Sequence, residues 1–114
     1  MKTSPYVGEF EYSVLLAVLH VDGEGDGEAY AVPIRALLEE RTSRPVARGA
    51  LYTALERLEA KGCLRSRMGD PTAERGGKAR RYFTVTPLGV RALKAMHASL
   101  ASLSRGLESV LESS

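Results

Sequence analysis

Between Arg48 and Gly62 the chain reads R-G-A-L-Y-T-A-L-E-R-L-E-A-K-G, and this stretch constrains the fold more than any other. Setting each residue 100° on from the last places Leu51, Leu55 and Leu58 on one stripe of a short helix. The opposite side carries Gly49, Thr53, Glu56 and Ala60, flanked by Tyr52 and Arg57. Gly62 supplies the stop. The leucine stripe must pack on a core, while the small, polar and basic outer face leaves room for a long anionic partner. A surface helix of an ordinary core has the same amphipathic pattern, so the helix alone does not decide function.

The residues before it supply a partner helix. Tyr30 to Arg41 has helical spacing, with Pro33 in its first turn and Ile34, Leu37, Leu38 and Arg41 on one side. Thr42-Ser43-Arg44-Pro45 ends it, because the residue before a proline avoids helical angles. Two short helices joined by a tight turn, the second with a basic outer face, predict a helix-turn-helix. Upstream, Phe10 to His20 is a continuous apolar-rich segment. Phe10, Val14, Leu15, Val18 and Leu19 suit a helix buried on more than one side, with Glu9 and Glu11 favouring its N-terminal end.

After Gly62 the period changes from helical to two-fold. Leu64, Ser66 and Met68 alternate with Arg65 and Arg67, and Arg81, Phe83 and Val85 alternate with Tyr82 and Thr84. Gly69 to Ala79 has the glycines and proline of a long hairpin tip. Arg75, Lys78, Arg80 and Arg81 cluster there and on the returning strand. A basic hairpin behind a helix-turn-helix is a wing suited to phosphate or minor-groove contact; its bland alternative is a solubilising ribbon. The fold expected is mainly α with a small β-hairpin, a winged helix-turn-helix over residues 1–86.

Thr86-Pro87 opens a last helix over residues 87–114 in the same compact unit, an N-cap followed by proline at the first helical position. Leu93, Met96, Leu100, Leu103, Leu107 and Val110 recur at spacings of 3, 4, 3, 4 and 3, an a/d seam of about two and a half heptads. Nothing else in the chain is left to cover so long a stripe, so self-association is favoured over packing on its own core. Gly106 weakens this helix late in its course.

Charge is segregated. Residues 1–28 hold one basic residue against six acidic ones, a net −5, whereas residues 41–94 hold thirteen Lys and Arg against four acids, a net +9. Such asymmetry is the footprint of a polyanion-binding surface or of a solvated basic face. At 114 residues the chain forms one domain with one core. No apolar run approaches the roughly 20 residues of a membrane span, and acidic residues stand where a signal peptide needs an apolar run. The single cysteine, Cys63, suits a reducing compartment, so a cytoplasmic location is expected.

Other chemistries find little support. Asp22 to Glu28, D-G-E-G-D-G-E, invites a calcium reading, but an EF-hand loop counted from Asp22 puts Pro33 where the bidentate Glu belongs. A flexible acidic connector is the better reading. No zinc spacing and no phosphate-cradling glycine loop occur, so no metal and no cofactor are expected. His20 and His97 stand on separate helices and make no dyad, so no enzyme is expected. Cys63 has no base beside it. Arg65 and Lys61, close in sequence, would lower its pKa toward a redox-sensing thiol; the default is a buried cysteine at the root of the wing.

These residues resemble the PadR family of winged-helix transcriptional regulators over nearly the whole chain. Gly8-Glu9-Phe10-Glu11 is similar to the family's opening segment, and Tyr30-Ala31-Val32-Pro33-Ile34 to its second-helix entry, with Ala31 where glycine is usual. Gly49 to Gly62 resembles the signature G-T-L-Y-P-x-L-x-R-L-E-x-x-G, with Ala50 for Thr and Thr53 for Pro. Arg81 to Gly89 resembles the R-x-Y-x-x-T-x-x-G of the wing return. The resemblance implies a homodimer joined mainly through a single C-terminal helix, as in the shorter subfamily, that binds double-stranded DNA and regulates transcription, as a repressor more than as an activator. On that reading Gly49, Tyr52, Thr53 and Arg57 face the bases. Arg48 and Lys61 meet phosphates, and Arg75, Lys78, Arg80 and Arg81 grip the backbone or minor groove. Glu56 either accepts from a cytosine amino group or pairs with a neighbouring Arg, pairing being favoured. The resemblance also implies a second reading, a sensor whose affinity for DNA is switched by a small molecule; its pocket is expected at the dimer interface, near Phe10, Tyr12, Met96 and Leu100. A third, a winged helix used only for protein contacts, fits the +9 segment poorly.

Overall fold

The computed structural model describes residues 5–23, 28–69 and 79–113. Among the described residues, five helices and one hairpin follow the order α1 (Glu9–Asp22), α2 (Ala31–Thr42), α3 (Arg48–Ala60), β1 (Leu64–Met68), β2 (Arg81–Val85), α4 (Pro87–Ser104) and α5 (Glu108–Glu112).

Helix α1 is the pillar, with α2, α3, α4 and β2 packed against it. Its Val14, Leu15 and Val18 have no exposed surface. Around them lie Ile34 and Leu38 of α2, Leu51, Leu55 and Leu58 of α3, Phe83 of β2 and Leu93 of α4. Each fully buried aliphatic side chain of this kind stabilises by about 1.5–3 kcal/mol. The helix is buried on one broad face rather than all round, since Phe10 and Leu19, expected inside, are more than a third exposed. Glu11 folds back so that its Oε1 accepts the Gly8 amide at 3.0 Å, satisfying a donor at the helix start.

Helix α2 ends one residue later than its sequence suggests, and its stop is local rather than due to Pro45. Ser43 adopts the left-handed conformation (φ 56°), and its amide donates to the Glu39 carbonyl at 3.0 Å. The turn into α3 is held by both polar groups of the buried Val46. Its amide donates to Glu39 Oε2 at 2.8 Å, and its carbonyl accepts from Arg35 Nε at 2.6 Å. Two side chains of α2 thereby set where α3 begins.

Strands β1 and β2 pair antiparallel from Leu64 opposite Val85 to Met68 opposite Arg81. Strict alternation fails on β2, where Tyr82 and Phe83 are both buried. Tyr82 is covered on its outer side by Tyr30, edge to face with ring centroids 5.8 Å apart. The segment before α2 lies along this edge, the Phe83 amide donating to the Ala29 carbonyl at 2.8 Å.

Thr86 caps α4 as its sequence predicts, accepting the Gly89 amide at 3.0 Å, and its own amide donates to the Cys63 carbonyl at 3.0 Å. Gly89 is required by this close approach, because a Cβ there would collide with the Cys63 carbonyl and the Val85 side chain. The single long last helix is not found. Helix α4 stops at Ser104, Gly106 takes φ 89° and α5 starts after Leu107, so the predicted seam is divided between two helices. Leu93, its first position, lies in the core beside α1, and Met96 is partly buried there. Leu100, Leu103, Leu107 and Val110 are between 47% and 76% exposed.

Candidate nucleic-acid interface

Helix α3 turns the faces its sequence predicts. Leu51, Ala54, Leu55 and Leu58 are buried, while Gly49, Tyr52, Thr53, Glu56, Arg57 and Ala60 are exposed, as is Arg48 at its start. Gly49 has no packing reason to be glycine, since a Cβ added there would meet nothing within 4 Å. As the second residue of α3, Gly49 leaves clearance on the outer face. Glu56 has no hydrogen-bond or ion-pair partner among the described residues, so the pairing with a neighbouring arginine favoured from sequence is not found.

Lys61 stands apart from the other cations of this helix. Its Nζ donates to Glu11 Oε1 at 2.6 Å and to the Tyr6 carbonyl at 2.8 Å, so it ties the C-terminal end of α3 to the segment preceding α1. Burial pushes the Glu11 carboxyl up. The Lys61 hydrogen bond, the Gly8 amide and the charges of Lys61 and Arg57 outweigh that effect and hold it below its ordinary value.

At the root of the wing, Arg81 Nε donates to Ser66 Oγ at 3.1 Å and a terminal nitrogen lies 3.8 Å from Glu59 Oε1. Ser66 Oγ in turn donates to Glu59 Oε2 at 2.6 Å, joining β1 to α3. Arg80 lies 4.1 Å over the Tyr30 ring and Arg67 lies 4.6 Å over the Tyr82 ring. Through the edge-to-face Tyr30–Tyr82 contact these four side chains form one continuous cluster, with a guanidinium group over each tyrosine ring. Arg67 is absent from the sequence-predicted site. The signal that finds it is a tyrosine directly across the hairpin, Arg67 opposite Tyr82. Arg75 and Lys78, predicted at the tip, lie outside the described residues.

Three of the four residues named for a small-molecule pocket lie together. Tyr12, Met96 and Leu100 line a mainly apolar groove of about 580 Å³ between the segment entering α1 and the outer side of α4. Phe10 does not line it. Phe10 and Tyr12 are two positions apart, which is 200° around a helix, and Phe10 instead lines the groove between α1 and α3 with Gly49, Ala50 and Thr53.

Cys63 is fully buried. Burial pushes its thiol up, Lys61 pulls it down and Glu11 pushes it up again, with a net rise. Lys61 lowers the thiol as expected, but burial outweighs it, so the shift toward a redox-sensing thiol is overturned and the default, a buried cysteine at the root of the wing, is found. Among the described residues no group of three His, Cys, Asp or Glu side chains could hold a metal ion. Four residues of the acidic connector, 24–27, lie outside the described residues. Among the described residues no helix is long and apolar enough to cross a membrane.

A helix-turn-helix backed by a two-stranded wing defines the class: a winged-helix DNA-binding protein. The chain belongs to the PadR-like family of transcriptional regulators, whose model matches residues 18–95. Membership makes it a regulator of transcription rather than an enzyme. Among solved structures it is similar to a PadR-like transcription factor from Bacteroides fragilis, at 26% identity over 89% of this chain and 88% of that one, with a TM-score of 0.69. A PadR family regulator from Eggerthella lenta is also 26% identical, over 89% and 82% of the two chains, with a TM-score of 0.65. A PadR-like regulator from Bacillus cereus shares the fold at 19% identity, with a TM-score of 0.67 over 92% and 93%. A comparison with curated protein sequences finds no match.

Proposed function

We propose that this protein is a cytoplasmic, homodimeric repressor that binds a specific sequence of double-stranded DNA. The observation that carries the reading is the outer face of α3, where Gly49, Tyr52, Thr53 and Arg57 are exposed and the backbone is unshielded. In the dimer each α3 enters a major groove and reads base edges with these four residues, while Arg48 meets phosphate at the helix start. Arg80, whose guanidinium lies over the Tyr30 ring, and Arg81, together with Arg75 and Lys78, grip the backbone or minor groove beside it. Lys61, committed to Glu11, contributes by positioning the end of α3 more than by its own charge. Two-fold symmetry sets the half-sites about one helical turn apart. The subunits join through the exposed apolar side chains of α4 and α5, Leu100, Leu103, Leu107 and Val110.

The test is operator affinity against salt for Arg57→Ala and Lys78→Ala. Arg57→Ala loses sequence preference by about 1–3 kcal/mol, whereas Lys78→Ala weakens all sequences alike and reduces the salt slope by about 1. The reverse pattern would overturn the assignment.

The groove lined by Tyr12, Met96 and Leu100 favours a second reading, in which a small apolar molecule bound beside α4 tunes DNA affinity. A thermal-shift screen of the dimer checks it, since a ligand of the folded state raises the melting temperature with its concentration.

A further inference from the structure

The outer stripe of α3 consists of Gly49, Thr53, Glu56 and Ala60, all exposed. Three of the four are short. Glu56 is the one side chain on the stripe that extends well beyond the backbone, and Gly49, two turns earlier on nearly the same line, leaves open space beside it. Three acids packed around α3 have occupations. Glu59 is engaged by Ser66 and Arg81, Glu11 by Lys61 and Gly8, and Glu39 by Arg35 and the Val46 amide. Glu56, placed at the middle of the helix, has no such partner among the described residues.

A carboxylate carried toward a polyanion is repelled and loses water, so it weakens binding unless a donor meets it. The major groove offers two base donors, the N4 amino group of cytosine and the N6 amino group of adenine. Adenine sets the N7 acceptor beside its amino group, where the second carboxylate oxygen would face a lone pair. Cytosine sets an apolar C5–H edge there instead. Guanine and thymine offer the carboxylate acceptors alone. We infer that Glu56 is a specificity-determining residue that reads a cytosine in each half-site, accepting from its N4 amino group and rejecting the other three bases at that position. This inference rests on the proposed entry of α3 into the major groove.

The experiment is selection of bound sequences from a random double-stranded DNA library with the wild-type protein, Glu56→Gln and Glu56→Ala. Circular dichroism first checks that the variants fold, as an exposed position allows. The wild-type motif should hold a symmetric pair of invariant C·G base pairs, with about 5- to 150-fold discrimination at each. Glu56→Gln should move that one position to adenine, whose N6 and N7 match an amide bidentately, leaving the rest of the motif unchanged. Glu56→Ala should make the position degenerate and bind random DNA more tightly, because a negative charge is gone. A wild-type motif whose bases are all unchanged in both variants would overturn the inference while leaving DNA reading by α3 intact. So would a C·G pair that becomes degenerate in Glu56→Gln as in Glu56→Ala, with no switch to A·T, which would assign Glu56 to holding Arg57 in place. A wild-type protein that enriches no sequence would overturn the inference together with the reading it rests on.

Discussion

At the scale of single residues, the Glu11–Lys61 pair shows how a charge reading of sequence goes astray. Fifty residues separate the two, so nothing local marks Lys61 as different from Arg57 or Arg65. Only the packing of α1 across α3 reveals that its Nζ serves Glu11 and the Tyr6 carbonyl. Because the Glu11 carboxyl is held below its ordinary value of 4.5, the folded state releases this proton more readily than the unfolded chain. The resulting stability is fully present above about pH 4.5, declines as the pH falls below it, and is gone once the depressed folded pKa is passed. Glu11→Gln should therefore lower stability by about 1–3 kcal/mol at neutral pH, since it takes the charged acceptor from a largely buried lysine contact. Urea unfolding of wild type and variant across pH should show the gap narrowing in acid and closing at the bottom of the range. A gap that persists unchanged below pH 4 would show that the carboxylate charge is not what stabilises this contact.

At the scale of elements, the helices and strands legible in the sequence are those whose signals are local. The leucine stripe of α3, the Thr86-Pro87 start of α4 and the change of period after Gly62 each predict the element observed, within a residue or two at the ends. What escapes is set by contacts. Tyr82 breaks the alternation of β2 because Tyr30 from another element covers it, and Gly89 is fixed by the Cys63 carbonyl rather than by its helix. The corner between α4 and α5 is an intermediate case. Gly106 is visible as a weak point, but the heptad spacing continues through it, so the sequence favours one helix over two. The corner depends on φ 89° at Gly106, whose amide donates to the Glu108 carboxylate at 3.0 Å and where an added Cβ would meet open space. An alanine there pays about 1–2 kcal/mol for the left-handed conformation and gains helix propensity. Gly106→Ala should thus fuse α4 and α5 into one helix, deepening the circular dichroism signal at 222 nm. An unchanged signal with lowered stability would show that the corner is imposed by contacts outside the glycine.

At the scale of the whole molecule, shape carries what the core does not. A compact chain of this length has a radius of gyration of about 13 Å. The protein measures 15.8 Å, with principal extents of 54, 41 and 27 Å. The excess goes with helices that leave the core. Leu93 anchors α4 to α1, and beyond it Leu100, Leu103, Leu107, Val110 and Leu111 carry their apolar surface outward. An isolated chain gains nothing by placing five such side chains in water, and a symmetric partner removes them from it. The half-site spacing needed to read DNA with two copies of α3 would then be set by this same surface, so assembly and operator recognition should fail together. Leu103 separates the two roles of α4, because it is 76% exposed and supports nothing inside the chain. Burying it at a dimer seam contributes about 1.5–3 kcal/mol per subunit, and an arginine in its place adds two unpaired charges across the axis. Leu103→Arg should leave the melting temperature of the isolated subunit nearly unchanged, give the monomer mass in light scattering, and reduce affinity for a full operator far more than for a single half-site. A Leu103→Arg protein that remains dimeric would place the interface elsewhere, while one that is monomeric yet binds the full operator undiminished would break the proposed link between pairing and reading.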